Sequence, residues 1–200
     1  MPTRGGGGRA GIRTVEGLAP LAQPPYTLGR GPLYIMLHGS YQDGTRYWGE
    51  QQTNAAVGRM LEAVELPNLP AAGVDVVFAG CCWGALVVEV PAATASPGKS
   101  PAPRIPERSL ALSLLQRGAR AFVGCTGEHY SPRDPPYDYF GGPIHRVFWE
   151  QSRSGAAPAV ALFEAKRAYR LGMPHGQGLT MSQAIEFKMW RQFTCLGLGW

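Results

Sequence analysis

The sequence VVFAGCCWG at residues 76–84 decides the fold, because an unbroken apolar run ends in a cysteine pair. No polar residue interrupts the run, and it is too short for a helix, so it predicts a strand buried on both faces. Ligands bind at the carboxyl ends of parallel strands, and we therefore expect Cys81 or Cys82 to lie at the mouth of a crevice. A buried packing role is the structural alternative for either thiol.

A second apolar run, Leu33–Leu37, is followed by His38, Gly39 and Ser40. It predicts another buried strand, with a histidine at the corresponding end. A histidine across the crevice can hold a thiol as the thiolate and later protonate a leaving amine. His38 bonded to a backbone carbonyl would be the structural alternative. The two strand ends together favour a catalytic interpretation.

The rest of the chain alternates helical and strand patterns. Apolar residues from Thr53 to Pro67 recur at i, i+3, i+4 and i+7, which predicts a helix and a strand, helix, strand crossover between His38 and Cys81. Other patterns predict a helix over 106–118, a third buried strand over 119–124, and helices that begin near 143, 159 and 180. This alternation predicts an α/β fold with a mostly parallel central sheet flanked by helices.

Composition limits the domain organisation and the partners. The 200 residues suit one domain, and residues 1–31, rich in glycine and proline, predict a flexible N-terminal arm ahead of a domain over 32–200. The net charge of +5 is spread over scattered arginines, so we expect no nucleic-acid partner. Because no segment is apolar enough to span a bilayer or to act as a secretion signal, we expect a cytoplasmic chain with no membrane partner.

The four cysteines at positions 81, 82, 125 and 195 do not suit a disulfide framework, so we expect free thiols. A zinc site would need Cys81, Cys82, Cys125 and His129. Adjacent ligands do not fit the usual C-x2-C spacing, and we therefore predict no metal.

The order of these parts resembles the caspase-like cysteine peptidases of clan CD, in which a strand ending in His-Gly precedes a strand ending in cysteine. LALSLLQRGARAFVG at 110–124 is similar to the helix and strand after the catalytic cysteine of CHAT and gingipain-like domains. Phe148–Tyr169, which contains EAKRA, is similar to their next helix pair. The resemblance covers 33–171. It implies a three-layer caspase-like fold and a cysteine endopeptidase that needs no cofactor. The implied substrate is a protein or peptide, and the resemblance also allows for an activating partner protein.

The resemblance also implies residue roles. In CHAT and gingipain-like domains the nucleophile stands three residues before a glycine, which selects Cys81, whereas the caspase spacing would select Cys82. His38 would be the general base and acid, and the backbone N–H groups of Gly39 and Cys81 would form the oxyanion hole. The family often recognises a basic residue through an acidic side chain, for which the candidates are Asp43, Glu128 and Asp134.

Two alternatives remain open. Gly80-x-Cys82-x-Gly84 partly matches the nucleophile elbow of an α/β-hydrolase, an esterase-type enzyme in which Cys82 would attack and His175 would be the late catalytic histidine. The other alternative is a catalytically silent caspase-like interaction domain.

Overall fold

A computed structural model describes residues 31–51, 59–66, 69, 73–87, 104–132, 135–173 and 180–198. The arm predicted at 1–31 lies outside these residues except for its last glycine, where the first strand begins. The strands are β1 (Gly31–Ile35), β2 (Arg46–Gln51), β3 (Arg59–Glu65), β4 (Val74–Ala79), β5 (Ala121–Cys125) and β6 (Phe193–Gly197). The helices are α1 (Leu110–Gln116), α2 (Gly142–Arg153), α3 (Pro158–Gly172) and α4 (Met181–Gln192).

Four strands form the central sheet, in the order β1-β4-β5-β6. β4 pairs in parallel with β1 on one side and with β5 on the other, and β6 runs antiparallel to β5. Ile35 lies opposite Ala79, and the N–H of Gly80 donates to the Ile35 carbonyl at 2.8 Å. The predicted mixed α/β architecture with a mostly parallel sheet is confirmed, and β1 and β4 end side by side.

Both faces of β4 are buried, which explains why its sequence lacks polar alternation. Val77 and Ala79 belong to one apolar cluster, which includes residues of α1 and Tyr47 of β2. Val76 and Phe78 belong to the opposite cluster, which is built from α2, α3 and α4. Successive side chains of a strand point to opposite faces, so Val76 and Phe78 occupy a different core from Val77 and Ala79.

The helix predicted from Thr53 is wrong over residues 59–65, which form β3; residues 52–58 lie outside the described part of the chain. β3 pairs with β2 in an antiparallel hairpin. Tyr47 holds this hairpin against the sheet, because its buried ring packs in the first core and its hydroxyl donates to the Gly84 carbonyl at 3.0 Å. Over residues 59–65, the connection between β1 and β4 therefore forms a strand of a hairpin and not the expected helix.

The remaining helices follow the predicted patterns with small shifts. Pro106–Arg108 forms a separate 3-10 turn, and α1 begins after Ser109, whose side chain accepts a hydrogen bond from the Leu112 N–H at 3.3 Å. The capping box of Thr180 and Gln183 is present at the start of α4. None of the described helices has the length and apolar character needed to cross a membrane.

Phe78 offers a test of how much the second core contributes. Its ring is fully buried and lies 4.8 Å from the ring of Phe148 and 5.5 Å from that of Phe193, measured between centroids. We expect Phe78→Ala to lower the free energy of unfolding by about 3–5 kcal/mol in urea titrations, because it leaves a cavity in a packed core. The matched control Phe163→Ala, at a ring 63% exposed, should change it by less than about 0.5 kcal/mol. Equal losses of unfolding free energy in the two variants would contradict this account of the core.

Candidate functional site

The parallel pairing of β1 with β4 brings the backbone around His38 against the cysteine pair. The backbone N–H of Leu37 bonds to the Cys81 thiol, and that of Gly39 bonds to the Cys82 thiol. His38 stands between these two residues, and its side chain is exposed. Its backbone is fixed by two hydrogen bonds with Trp48, of 2.8 and 3.0 Å. The structure thus brings the two predicted strand ends together.

The position of Cys81 differs from the prediction. Its side chain is fully buried in the first core with Ile35, Ala79 and Tyr47, and does not lie at the mouth of a crevice. The reason is strand alternation: Cys81 follows Ala79 by two residues and keeps the same face. Burial strongly raises the pKa of its thiol, and the nearby Cys82 adds to this effect, although the Leu37 N–H opposes it. In this conformation the Cys81 sulfur is neither accessible nor ionised at neutral pH.

Cys82 is the partly exposed member of the pair. The backbone N–H of His129 lies 3.2 Å from its sulfur, and the N–H of Gly39 also bonds to it. Burial raises the pKa of the thiol and the charge of Glu128 adds to the rise, while the two N–H groups and Lys188 act in the opposite direction. Two backbone donors therefore converge on a sulfur that substrate could reach.

Trp83 directly follows this cysteine in a conformation that bulky residues avoid. Its φ is +52°, and its N–H donates to the Gly127 carbonyl at 2.8 Å. A left-handed backbone at a large aromatic residue costs free energy and is typical of functional sites. The Trp83 ring meets the ring of Tyr41 edge to face, with centroids 5.4 Å apart. The two rings form an aromatic patch beside Cys82.

His129, whose N–H contacts the Cys82 sulfur, forms a histidine pair with His145. His129 Nε2 lies 3.0 Å from His145 Nε2, while His129 Nδ1 lies 3.1 Å from the Ser131 hydroxyl and His145 Nδ1 lies 2.8 Å from the Tyr34 hydroxyl. One Nε2 must donate and the other must accept, so at most one of the two rings can be cationic. Burial lowers the pKa of His129 to about 4 and that of His145 well below its usual value, and the charge of His129 lowers the latter further. This network fixes the loop whose N–H contacts Cys82.

The predicted acidic residues differ in what they bind. Burial alone would raise the pKa of Asp43, but hydrogen bonds from Thr45 and the charges of Arg46 and Arg104 outweigh it and lower that pKa. The Asp43 carboxylate is also 3.0 Å from the Arg46 guanidinium, so it is committed to its own loop. Glu128 lies 3.1 Å from the Lys188 ammonium and accepts a hydrogen bond from Tyr130. Asp134 lies outside the described residues.

Sequence reasoning missed Arg104, which is 2% exposed. Its Nη2 donates to the Ser40 carbonyl just after His38, and its guanidinium packs so closely on Gly44 that a side chain there would collide with it. Burial lowers its pKa, although the charges of Tyr47 and Asp43 oppose this. Arg104 therefore fixes the loop after His38 to the first core. Its position after a Pro-rich stretch gave no signal of burial.

Comparison with protein-family models and with curated proteins finds no match for this chain. In the described part of the chain, no group of three or more histidine, cysteine, aspartate or glutamate side chains has an arrangement that could hold a metal ion. The late histidine of the hydrolase alternative, His175, lies outside the described residues.

Gly39 offers a test of how the two strand ends fit together. A Cβ at this position would lie 2.1 Å from the Cys82 carbonyl oxygen, so Gly39→Ala must displace one of the two segments. We expect the free energy of unfolding to fall by about 1–3 kcal/mol and the alkylation rate of Cys82 to change. Gly172→Ala is the matched control, since nothing lies within 4 Å of its Cβ position. An unchanged alkylation rate of Cys82 in Gly39→Ala would contradict the close approach of Gly39 to the Cys82 backbone.

The histidine pair predicts a dependence of stability on pH. The folded pKa of His129 is about 4, below its usual value of 6.5, so the unfolded chain binds more protons between these pH values. The free energy of unfolding should therefore fall as the pH falls, and be roughly 1–2 kcal/mol lower at pH 5 than at pH 7.5. Urea titrations at the two pH values measure this difference. It should shrink in His129→Gln, and an undiminished difference would show that other groups cause it.

Proposed function

We propose that the chain is a cysteine endopeptidase of caspase-like architecture that uses a thiol and the imidazole of His38. The observation that carries the proposal is the partly exposed Cys82 thiol, on which the N–H groups of Gly39 and His129 converge beside a strand ending in His-Gly. Cys82 takes the role of nucleophile in place of Cys81, because the Cys81 side chain is fully buried. The proposed substrate is a protein or peptide.

The proposed reaction uses few groups. His38 takes the proton of the Cys82 thiol as the sulfur attacks the substrate carbonyl, and then gives it to the departing amine as the peptide bond breaks and a thioester forms. Water attacks the thioester and releases the acyl group, which restores the thiol. The N–H groups of Gly39 and His129 bond to the Cys82 sulfur and so favour its thiolate form before the attack.

The architecture supports the proposal in outline. Helices pack on both faces of the mostly parallel sheet, as a three-layer caspase-like fold requires, and the thiol lies at the carboxyl end of a strand, where α/β sheets bind ligands. The strained Trp83 with its partner Tyr41 provides an apolar surface for a substrate side chain. Asp43 and Glu128 each pair with a cation of the chain, at 3.0 and 3.1 Å, so a basic substrate residue would have to displace Arg46 or Lys188.

The hydrolase alternative receives less support. A nucleophile elbow places its strained residue at the nucleophile and continues directly into a helix. The left-handed residue here is Trp83 and not Cys82, and the described residues from 82 to 87 form a turn without a helix.

Labelling with a peptidyl chloromethyl ketone tests the proposal. We expect one thiol, Cys82, to be modified rapidly, and the labelling to be lost in Cys82→Ala but retained in Cys81→Ala. His38→Ala should slow cleavage of a mixed peptide library about 100-fold or more, because it removes the general base and acid. Peptide mapping by mass spectrometry identifies the modified sulfur.

Other outcomes would contradict the proposal in distinct ways. Selective labelling of Cys81 would return the nucleophile to the position that the family spacing selects, and would require the first core to open around its side chain. Equal and slow labelling of all four thiols, with no cleavage of the library, would favour the silent interaction domain.

A further inference from the structure

An apolar groove lies on the surface formed by α3, α4 and β6, and encloses about 530 Å³. Its apolar lining includes Leu162, Phe163, Leu171, Trp190 and Phe193. Phe163 is 63% exposed and Leu171 is 74% exposed. A volume of this size is typical of a ligand or peptide site. Two large side chains at its edge remain in water, where a partner could cover them.

Three cationic side chains line the groove. They are Lys166, Arg167 and Arg170, and no carboxylate is among the lining residues that the structure describes. Glu164, outside the lining, pairs with Arg167 at 2.7 Å. The Lys166 ammonium donates to the carbonyl oxygens of Phe193 and Arg191, at 2.8 and 3.4 Å. Burial lowers its pKa and the charge of Arg191 lowers it further, and an arriving carboxylate would offset the repulsion from Arg191.

Charge also argues against residues 1–30 and against a second copy as the occupant. Residues 1–30 carry Arg4, Arg9, Arg13 and Arg30 against one carboxylate, Glu16. This segment would add positive charge to a positive groove. A second copy would bring a net charge of +5 to the same surface. Complementarity therefore selects an external partner that is acidic.

We propose that this groove binds an acidic segment of a partner protein, whose large apolar side chains enter between α3 and α4 while its carboxylates meet the cationic side chains of α3. The apolar lining supplies the affinity, and the cations supply orientation and rate of association. The site lies outside the proposed catalytic residues, so it does not depend on the proposed peptidase activity.

The test uses the full chain and a fluorescein-labelled synthetic peptide in which glutamates flank a Leu-Phe pair. A second peptide with lysine in place of each glutamate is the control. Fluorescence anisotropy should detect saturable binding of the acidic peptide only, weakening as salt rises. Cys195 lies in the groove lining and is partly exposed. The acidic peptide should therefore slow alkylation of Cys195 by iodoacetamide, as measured by peptide mapping.

Two arginines provide a matched pair of variants. The Arg167 and Arg146 side chains are both 63% exposed, and each pairs with a glutamate of its own helix, but only Arg167 lines the groove. Arg167→Glu should weaken binding of the acidic peptide about tenfold, and Arg146→Glu should leave it nearly unchanged. Phe163→Ala should also weaken binding, because it removes an exposed apolar contact.

Several results would overturn the proposal. Equal effects of Arg167→Glu and Arg146→Glu would show that the peptide responds only to the overall charge. Unchanged alkylation of Cys195 would place the peptide elsewhere. If the chain dimerises in sedimentation experiments and Phe163→Glu abolishes the dimer, the occupant of the groove is a second copy of the chain. If micromolar dodecanoate displaces the peptide, and the peptide binds more weakly than dodecanoate does, the occupant of the groove is a fatty acid.

Discussion

The parallel pairing of β1 with β4, inside a sheet buried on both faces, is the constraint on which the site depends. It brings the strand end that carries His38 level with the cysteine pair, and the Gly80 N–H bond to the Ile35 carbonyl fixes the register. Because apolar layers cover both faces, the chain can turn into solvent only at the strand ends. The groups with potential chemistry therefore collect at one edge of the sheet.

The buried strands and long helices could be predicted from sequence, because their periodicity extends over many residues. The hairpin could not be predicted. The apolar spacing over 57–64 suits a helix but extends over only two turns. Pairing with β2, which periodicity does not encode, decides the structure over 59–65. β6 was missed because Phe193 follows α4 without a glycine or proline to mark a boundary. In both cases long-range backbone pairing decides the structure.

The cysteine pair contains two signals that disagree. Spacing to Gly84 selects Cys81 by resemblance to CHAT and gingipain-like domains, whereas strand alternation continues from Ala79 to Cys81 and buries it. Strand alternation can be applied only after the two faces of β4 have been assigned. An unbroken apolar run does not show which face opens to solvent. The donors on Cys82 were not predictable either, since they come from backbone N–H groups that any residue type would supply.

Phe193 connects the cysteine site to the cationic groove through packing. Its ring centroid lies 5.8 Å from that of His129 and 5.4 Å from that of His145, and the same side chain lines the groove. The neutral histidine pair can be buried there because each ring nitrogen has a hydrogen-bond partner. Phe193 therefore packs directly against the histidine pair that holds the loop whose N–H contacts the Cys82 sulfur. The groove and the thiol are thus two surfaces of one packed core.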